Sequence, residues 1–153
     1  MQTIMITGCS SGFGLETARY FLEQGWKVIA TMRAPQEGVL PASDRLRLVR
    51  LDVTSAQSIA EAIAEAGEID VLVNNAGVGM LNALEGASRE AIADLFATNT
   101  LGTIAMTQAV IPRFRARRSG TIVNITSAVT LQPMPLLAVY TASKAAVNAF
   151  TES

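Results

Sequence analysis

The sequence predicts an α/β fold: a doubly wound parallel sheet with helices on both faces, in strand order 3-2-1-4-5. Three features carry that expectation. Half of the 153 residues are hydrophobic and only 16% are charged, which suits strands buried on both faces. Short apolar runs alternate with stretches of helical periodicity from end to end. A glycine-rich turn, Thr7-Gly8-Cys9-Ser10-Ser11-Gly12-Phe13-Gly14, separates the first run from the first helix.

Residues 3–7 read as the first strand. Residues 13–24 form a helix, with Leu15, Ala18, Phe21 and Leu22 on one face. Residues 27–32 are the second strand, and 34–45, which hold two prolines, form at most a short helix. Residues 46–51 are the third strand. A capping box of Thr54 and Gln57 opens a helix over 54–66, whose apolar face carries Ile59, Ala62 and Ile63. Residues 69–74 are the fourth strand. Ser88 caps a helix through Ala97, and a longer one covers 100–117. Residues 121–126 are the fifth strand, and a last helix starts near Tyr140 and is still running at Ser153. With no repeat or low-complexity linker, residues 1–153 are expected to form one domain. A complete sheet of this type usually has at least a sixth strand, so the expectation is a domain truncated within its last helix.

Bulk composition excludes several functions. The net charge is −1, so no global field favours nucleic acid or an anionic membrane. There is no histidine, which removes His-based triads and His-ligated metal sites; no metal site is expected. The single cysteine, Cys9, excludes an intrachain disulfide and suits a reducing cytosol. Its place in the glycine turn suggests either a reactive thiol near a helix N-terminus or simply a small residue in a tight loop. No run reaches the roughly 20 apolar residues of a membrane span. The chain enters a strand at once, leaving no room for a signal peptide, and a cytoplasmic location is expected.

The glycine turn has a physical reading of its own. Gly8 permits the tight turn, Gly12 lets backbone approach a pyrophosphate, and Gly14 lets helix and strand pack closely. The following helix would present unsatisfied N–H groups and its positive dipole end to phosphates, with Ser10 and Ser11 adding hydroxyls. The spacing, Gly-x3-Gly-x-Gly, departs from the commoner Gly-x-Gly-x2-Gly, and such a turn can also be purely structural. Tyr140 and Lys144 stand four residues apart and share a helix face. A free phenol has a pKa of about 10, and an ammonium one turn away favours its ionised form. Tyr140 is therefore a candidate acid or base, and Ser127 can hold the oxygen that gains or loses the proton. Standing alone, Tyr140 and Lys144 would equally be a surface pair on an amphipathic helix.

Further motifs sharpen this. Asn74-Asn75-Ala76-Gly77 ends the fourth strand, Asn99 lies in Asn99-Thr100-Leu101-Gly102, and Ser127 ends Asn124-Ile125-Thr126-Ser127. With the glycine turn and Tyr140-x3-Lys144, these motifs in order resemble the short-chain dehydrogenase/reductase family. The runs Val28 through Arg33 and Asn74 through Gly79 look most like its hydroxysteroid or retinol dehydrogenase branch. The resemblance covers the whole chain and lacks only the family's C-terminal part. It implies a Rossmann-type dinucleotide-binding catalytic domain. Tyr140 would be the general acid in carbonyl reduction and the base in alcohol oxidation. Lys144 would support the phenolate and bind the nicotinamide ribose. Ser127 would orient and polarise the carbonyl, and Asn99 would hold a water in a proton relay behind Lys144. Gly8, Ser10, Ser11, Gly12, Phe13 and Gly14 would hold the cofactor, joined by Asn75, Ala76 and Gly77.

Cofactor choice rests on the end of the second strand, Ala30-Thr31-Met32-Arg33. No acidic residue is there to bind a ribose 2′-hydroxyl, and Arg33 could pair with a 2′-phosphate, so NADP is expected over NAD. A solvated arginine at a strand end is the competing use. Asp52, followed by Val53, resembles the family position that binds the adenine amino group; a helix cap is its other use. Arg113, Arg115, Arg117 and Arg118 read as a solvated helix end rather than a polyanion site. The apolar segment 132–137 is expected to wall a substrate pocket, with 78–81 facing it, which favours an apolar carbonyl or alcohol substrate. The resemblance further implies a homo-oligomer at full length. The reading is an NADP(H)-dependent oxidoreductase that interconverts a carbonyl and an alcohol. The alternative, especially for a truncated form, is a dinucleotide-binding sensor or scaffold without turnover.

Overall fold

The computed structural model describes residues 1–153. Five parallel strands form one sheet in the order β3-β2-β1-β4-β5. The strands are β1 (Thr3–Ile6), β2 (Lys27–Met32), β3 (Leu46–Arg50), β4 (Val71–Asn74) and β5 (Thr121–Asn124). The helices are α1 (Gly12–Glu23), α2 (Ala56–Ala66), α3 (Arg89–Phe96), α4 (Gly102–Arg117) and α5 (Ala138–Thr151). In register, Ile4 lies opposite Val28 on one side and Val71 on the other.

Successive strand residues point to opposite faces, so the sheet divides the core in two. On one face Met5, Ile29 and Leu72 pack with Ile59 and Ile63 of α2 and Met106, Val110 and Phe114 of α4. On the other, Ile4, Ile6, Val28 and Ala30 pack with Ala18 and Leu22 of α1. This two-sided burial is what the apolar composition requires. No helix is long and apolar enough to cross a membrane.

Three local details differ from the sequence expectation. The N-cap of α2 is Ser55, whose side chain accepts from the Ser58 N–H at 3.2 Å, not Thr54. Thr54 is taken by Asp52, which accepts from its hydroxyl at 2.7 Å and its N–H at 2.9 Å, while Gln57 reaches forward to Glu61. Second, no break separates the two helices expected over 88–117. A single π-helical turn, Ala97–Leu101, joins α3 to α4. Third, α5 begins at Ala138, two residues before the expected start, and its helical bonding continues to the Glu152 N–H, which donates to the Asn148 carbonyl at 3.1 Å.

Two of the four arginines at the end of α4, Arg113 and Arg117, are not simply solvated. Arg113 donates to the carbonyls of Ile63 and Gly67, both at 3.0 Å, and so binds the C-terminal end of α2. Arg117 donates to the Ile69 carbonyl and pairs with Asp70 at 3.4 Å. Both tie α4 to the segment entering β4.

Candidate functional site

In a parallel sheet the loops after the strand carboxyl ends gather at one edge, and a cleft of about 900 Å³ lies there. The glycine turn forms one wall. Gly8 has φ +75°, and a Cβ there would stand 2.8 Å from the Ala76 Cα. A Cβ on Gly14 would overlap the Gly8 carbonyl oxygen. Both positions therefore demand glycine.

The turn is locked from across the sheet. Thr7 Oγ1 accepts from the N–H groups of Asn75 and Ala76 at 3.0 and 2.9 Å. The Asn75 amide donates to the carbonyls of Thr7 and Gly8 at 2.9 and 3.2 Å. Asn75 thus spends its amide hydrogens on the turn, and Thr7, whose motif spacing gives it no role of its own, is the partner that makes the lock. Ser11 is the N-cap of α1 and makes no side-chain cap bond. The first N–H groups of α1 remain available at the cleft, which Ser10, Ser11, Gly12 and Phe13 line. These features fit a bound pyrophosphate. Cys9 points the other way: it is fully buried, donates to the Ile6 carbonyl at 3.2 Å, and burial pushes its thiol up to about 12. Of its two readings, the small inert residue holds.

Arg33 and Asp52 line the same cleft at the ends of β2 and β3. Arg33 is exposed and forms no ion pair. The hydroxyl and N–H of Thr54 hold the Asp52 carboxyl below its ordinary value, and the Arg33 and Arg50 charges add to that. Asp52 Oδ1 closes the turn ahead of α2 without being the helix cap. Val53 lines the cleft beside it and also packs near Gly102.

The opposite wall comes from the end of β5 and from α5. Ser127 caps the short turn Ala128–Thr130, its Oγ accepting a long 3.4 Å contact from the Val129 N–H. Tyr140 and Lys144 also line the cleft. Lys144 is buried; its Nζ donates to the Ile125 carbonyl at 2.8 Å, and burial lowers its pKa from the ordinary lysine value. Gly77 lets the chain pass between two of these groups, since a Cβ there would lie 3.2 Å from Asn99 Oδ1 and 3.4 Å from Lys144 Nζ.

Asn99 lies on the π-helical turn, fully buried behind the cleft. Its Oδ1 accepts from the Val78 N–H at 2.8 Å, and its Nδ2 donates to the Val78 carbonyl at 2.9 Å and to Ser143 Oγ at 3.1 Å. The side chain is spent on structure, so a water in its keeping would have to use the backbone carbonyl, which also accepts from Thr103 Oγ1. Ser143 donates onward to the Tyr140 carbonyl, and Thr100 Oγ1 donates to the Ser143 carbonyl. The π-helical turn is thereby bonded to the helix that carries Tyr140 and Lys144.

Of the expected site residues, only Gly14 and Asn99 do not line the cleft, and both support residues that do. The segment 132–137 departs from expectation. It does not line the cleft. It is a surface loop, with Met134 and Leu136 each 54% exposed, tied to the facing segment where the Asn82 N–H donates to the Leu136 carbonyl. Its apolar character alone could not say which way it faces. Val78, Gly79 and Met80 do line the cleft, as expected, but Leu81 turns outward and is 73% exposed. One wall was not anticipated: Ala91, Asp94, Leu95 and Thr98 face the cleft from α3 and the π-helical turn. Their spacing, i, i+3, i+4, i+7, marks a helix face but not its neighbour.

The chain has relatives and structural neighbours. A family profile described as short chain dehydrogenase matches residues 2–153. Retinol dehydrogenase 8 of Bos taurus is 41% identical, over 99% of this chain and 53% of the relative. A 3-ketodihydrosphingosine reductase of Bacteroides thetaiotaomicron is 41% identical, over 99% of this chain and 56% of the relative. The chain spans about half the length of these curated relatives. The closed form of serine dehydrogenase complexed with NADP+ superposes with a TM-score of 0.91 at 36% identity, over 99% of this chain and 64% of that one. A 3-ketoacyl-(acyl-carrier-protein) reductase from Brucella melitensis complexed with NADH superposes with a TM-score of 0.90 at 29% identity, over 99% and 67% respectively.

Proposed function

Because the chain belongs to the short-chain dehydrogenase family, we propose that it is an NADP(H)-dependent oxidoreductase that interconverts a carbonyl and an alcohol in this cleft. One observation carries the reading: Ser127, Tyr140 and Lys144 share a cleft wall facing an uncapped helix N-terminus behind a tight glycine turn. When bound, the nicotinamide would supply the hydride exchanged with the carbonyl carbon.

The chain's own residues would do the rest. The N–H groups of α1's first turn would hold the pyrophosphate, with the hydroxyls of Ser10 and Ser11 beside them. Arg33, exposed and unpaired, would take the 2′-phosphate through its planar fork. Ser127 uses its oxygen only as a weak acceptor, so its hydrogen is free to donate to the substrate oxygen. Tyr140 would give the proton in reduction and take it in oxidation. Lys144, held by the Ile125 carbonyl, would keep a cation beside the phenol one helical turn away.

An apolar substrate fits Val78, Met80 and Ile125 on the cleft walls. The test is to mix the protein with NADPH or NADH and a panel of apolar ketones and aldehydes, following the absorbance of the reduced cofactor. Turnover preferring NADPH is expected. Tight cofactor binding without turnover on any carbonyl would favour a dinucleotide-binding sensor instead.

A further inference from the structure

Tyr140, Lys144 and Asn148 recur every fourth residue on α5 and so share one face of the helix. Lys144 and Asn148 both reach the segment that carries Ser127. Lys144 Nζ donates to the Ile125 carbonyl, two residues before Ser127, at 2.8 Å. Asn148 Nδ2 donates to Thr130 Oγ1, three residues after it, at 2.9 Å. Thr130 Oγ1 in turn donates to the Ser127 carbonyl at 2.8 Å, and the Thr130 N–H reaches the same carbonyl at 3.1 Å. Ser127 is therefore bracketed by two attachments to the helix that bears Tyr140.

We propose that Asn148 is a positioning residue, which acts through Thr130 to fix Ser127 relative to Tyr140. The inference rests on the oxidoreductase reading above.

The chain of donors has a direction. A backbone carbonyl can only accept, so the single hydroxyl hydrogen of Thr130 is committed to Ser127. Thr130 Oγ1 can then only accept from Asn148, which must present its amide NH2 rather than its oxygen. An aspartate at 148 has nearly the same shape but no hydrogen to give. It would instead draw the Thr130 hydroxyl toward itself and away from Ser127. Asn148→Asp is thus a test of the bond at nearly constant volume.

A second staple supplies the control. Asn124 Nδ2 donates to Thr151 Oγ1 at 2.9 Å and also ties α5 to β5, but it does not touch Ser127. If Asn148 merely helped dock α5, then Thr151→Val would behave like Asn148→Asp.

The experiment compares wild type, Asn148→Asp, Asn148→Ala and Thr151→Val. It reads kcat and KM on an apolar ketone with NADPH, NADPH affinity by cofactor fluorescence, and backbone hydrogen exchange of the segment 127–131. Small displacements of a reacting group cost up to about 10²-fold, so both Asn148 variants are expected to lose roughly tenfold in kcat. NADPH affinity should be unchanged, exchange at 127–131 should be faster, and Thr151→Val should match wild type. Equal losses in Thr151→Val, or unchanged kcat in Asn148→Asp, would overturn the proposal. If wild type turns over no carbonyl, the oxidoreductase reading fails. The exchange measurement then still decides whether Asn148 holds Ser127: faster exchange in Asn148→Asp but not in Thr151→Val supports it, and no difference refutes it.

Discussion

Single residues set what the cleft can distinguish. Arg33 lies exposed at the end of β2 with no anionic partner in the chain, although its charge reaches Asp52. Arg33→Asp would remove a phosphate donor, add a ribose acceptor and repel a 2′-phosphate. A charge-assisted contact is worth roughly 1.5–3 kcal/mol, so NADPH/NADH preference should fall by about 10- to 150-fold. Kd values for both cofactors measure this, and an unchanged ratio would make Arg33 a bystander. Asp52 gives a prediction in pH. The Thr54 hydrogen bonds depress its folded pKa below the ordinary 3.8. A depressed carboxyl stabilises the fold above its unfolded pKa, and that contribution is lost as pH falls through the folded value. Urea midpoints measured from neutrality down past that range should therefore fall more steeply for wild type than for Asp52→Asn. Parallel profiles would contradict the assignment.

At the scale of elements, legibility follows how local the physics is. The glycine turn could be read because its requirements, a positive φ at Gly8 and a close approach at Gly14, belong to the backbone itself. Tyr140 and Lys144 could be paired because i, i+4 spacing fixes a shared face. The cap of α2 was harder. Thr54 and Ser55 are both capable caps, and only the capture of Thr54 by Asp52 leaves Ser55 to do it. Ser55→Ala should cost about 1 kcal/mol, and Thr54→Val should leave α2's first turn bonded. Equilibrium unfolding of both variants decides, and a silent Ser55→Ala would contradict the cap. The π-helical turn had no sequence signature, since an extra residue in one turn leaves the apolar pattern on either side intact. It nonetheless sets Asn99, whose amide holds Val78 and Ser143.

Across the whole molecule, strand order and the two-sided core were legible because alternating apolar runs and helices admit few topologies. The contacts that cross the sheet were not. The Thr7–Asn75 lock joins residues 68 apart in the chain, and the Arg113 bonds to α2 join residues 50 and 46 apart. Neither spacing carries a periodic signal. The same is true of the loop at 132–137, whose apolar composition suggested a wall and whose place in the fold is the surface.

The proposed function assigns the proton donor to Tyr140, on the cleft wall built from the end of β5 and from α5. The most direct measurement is NADPH consumption with an apolar ketone by wild type and Tyr140→Phe, alongside NADPH affinity for each. The ring of Phe still packs but has no proton to transfer, and loss of one positioned acid costs about 10² to 10⁴ in rate. The account predicts turnover by wild type, a fall of that size in Tyr140→Phe, and equal NADPH binding by both. Turnover by Tyr140→Phe at the wild-type rate would contradict it.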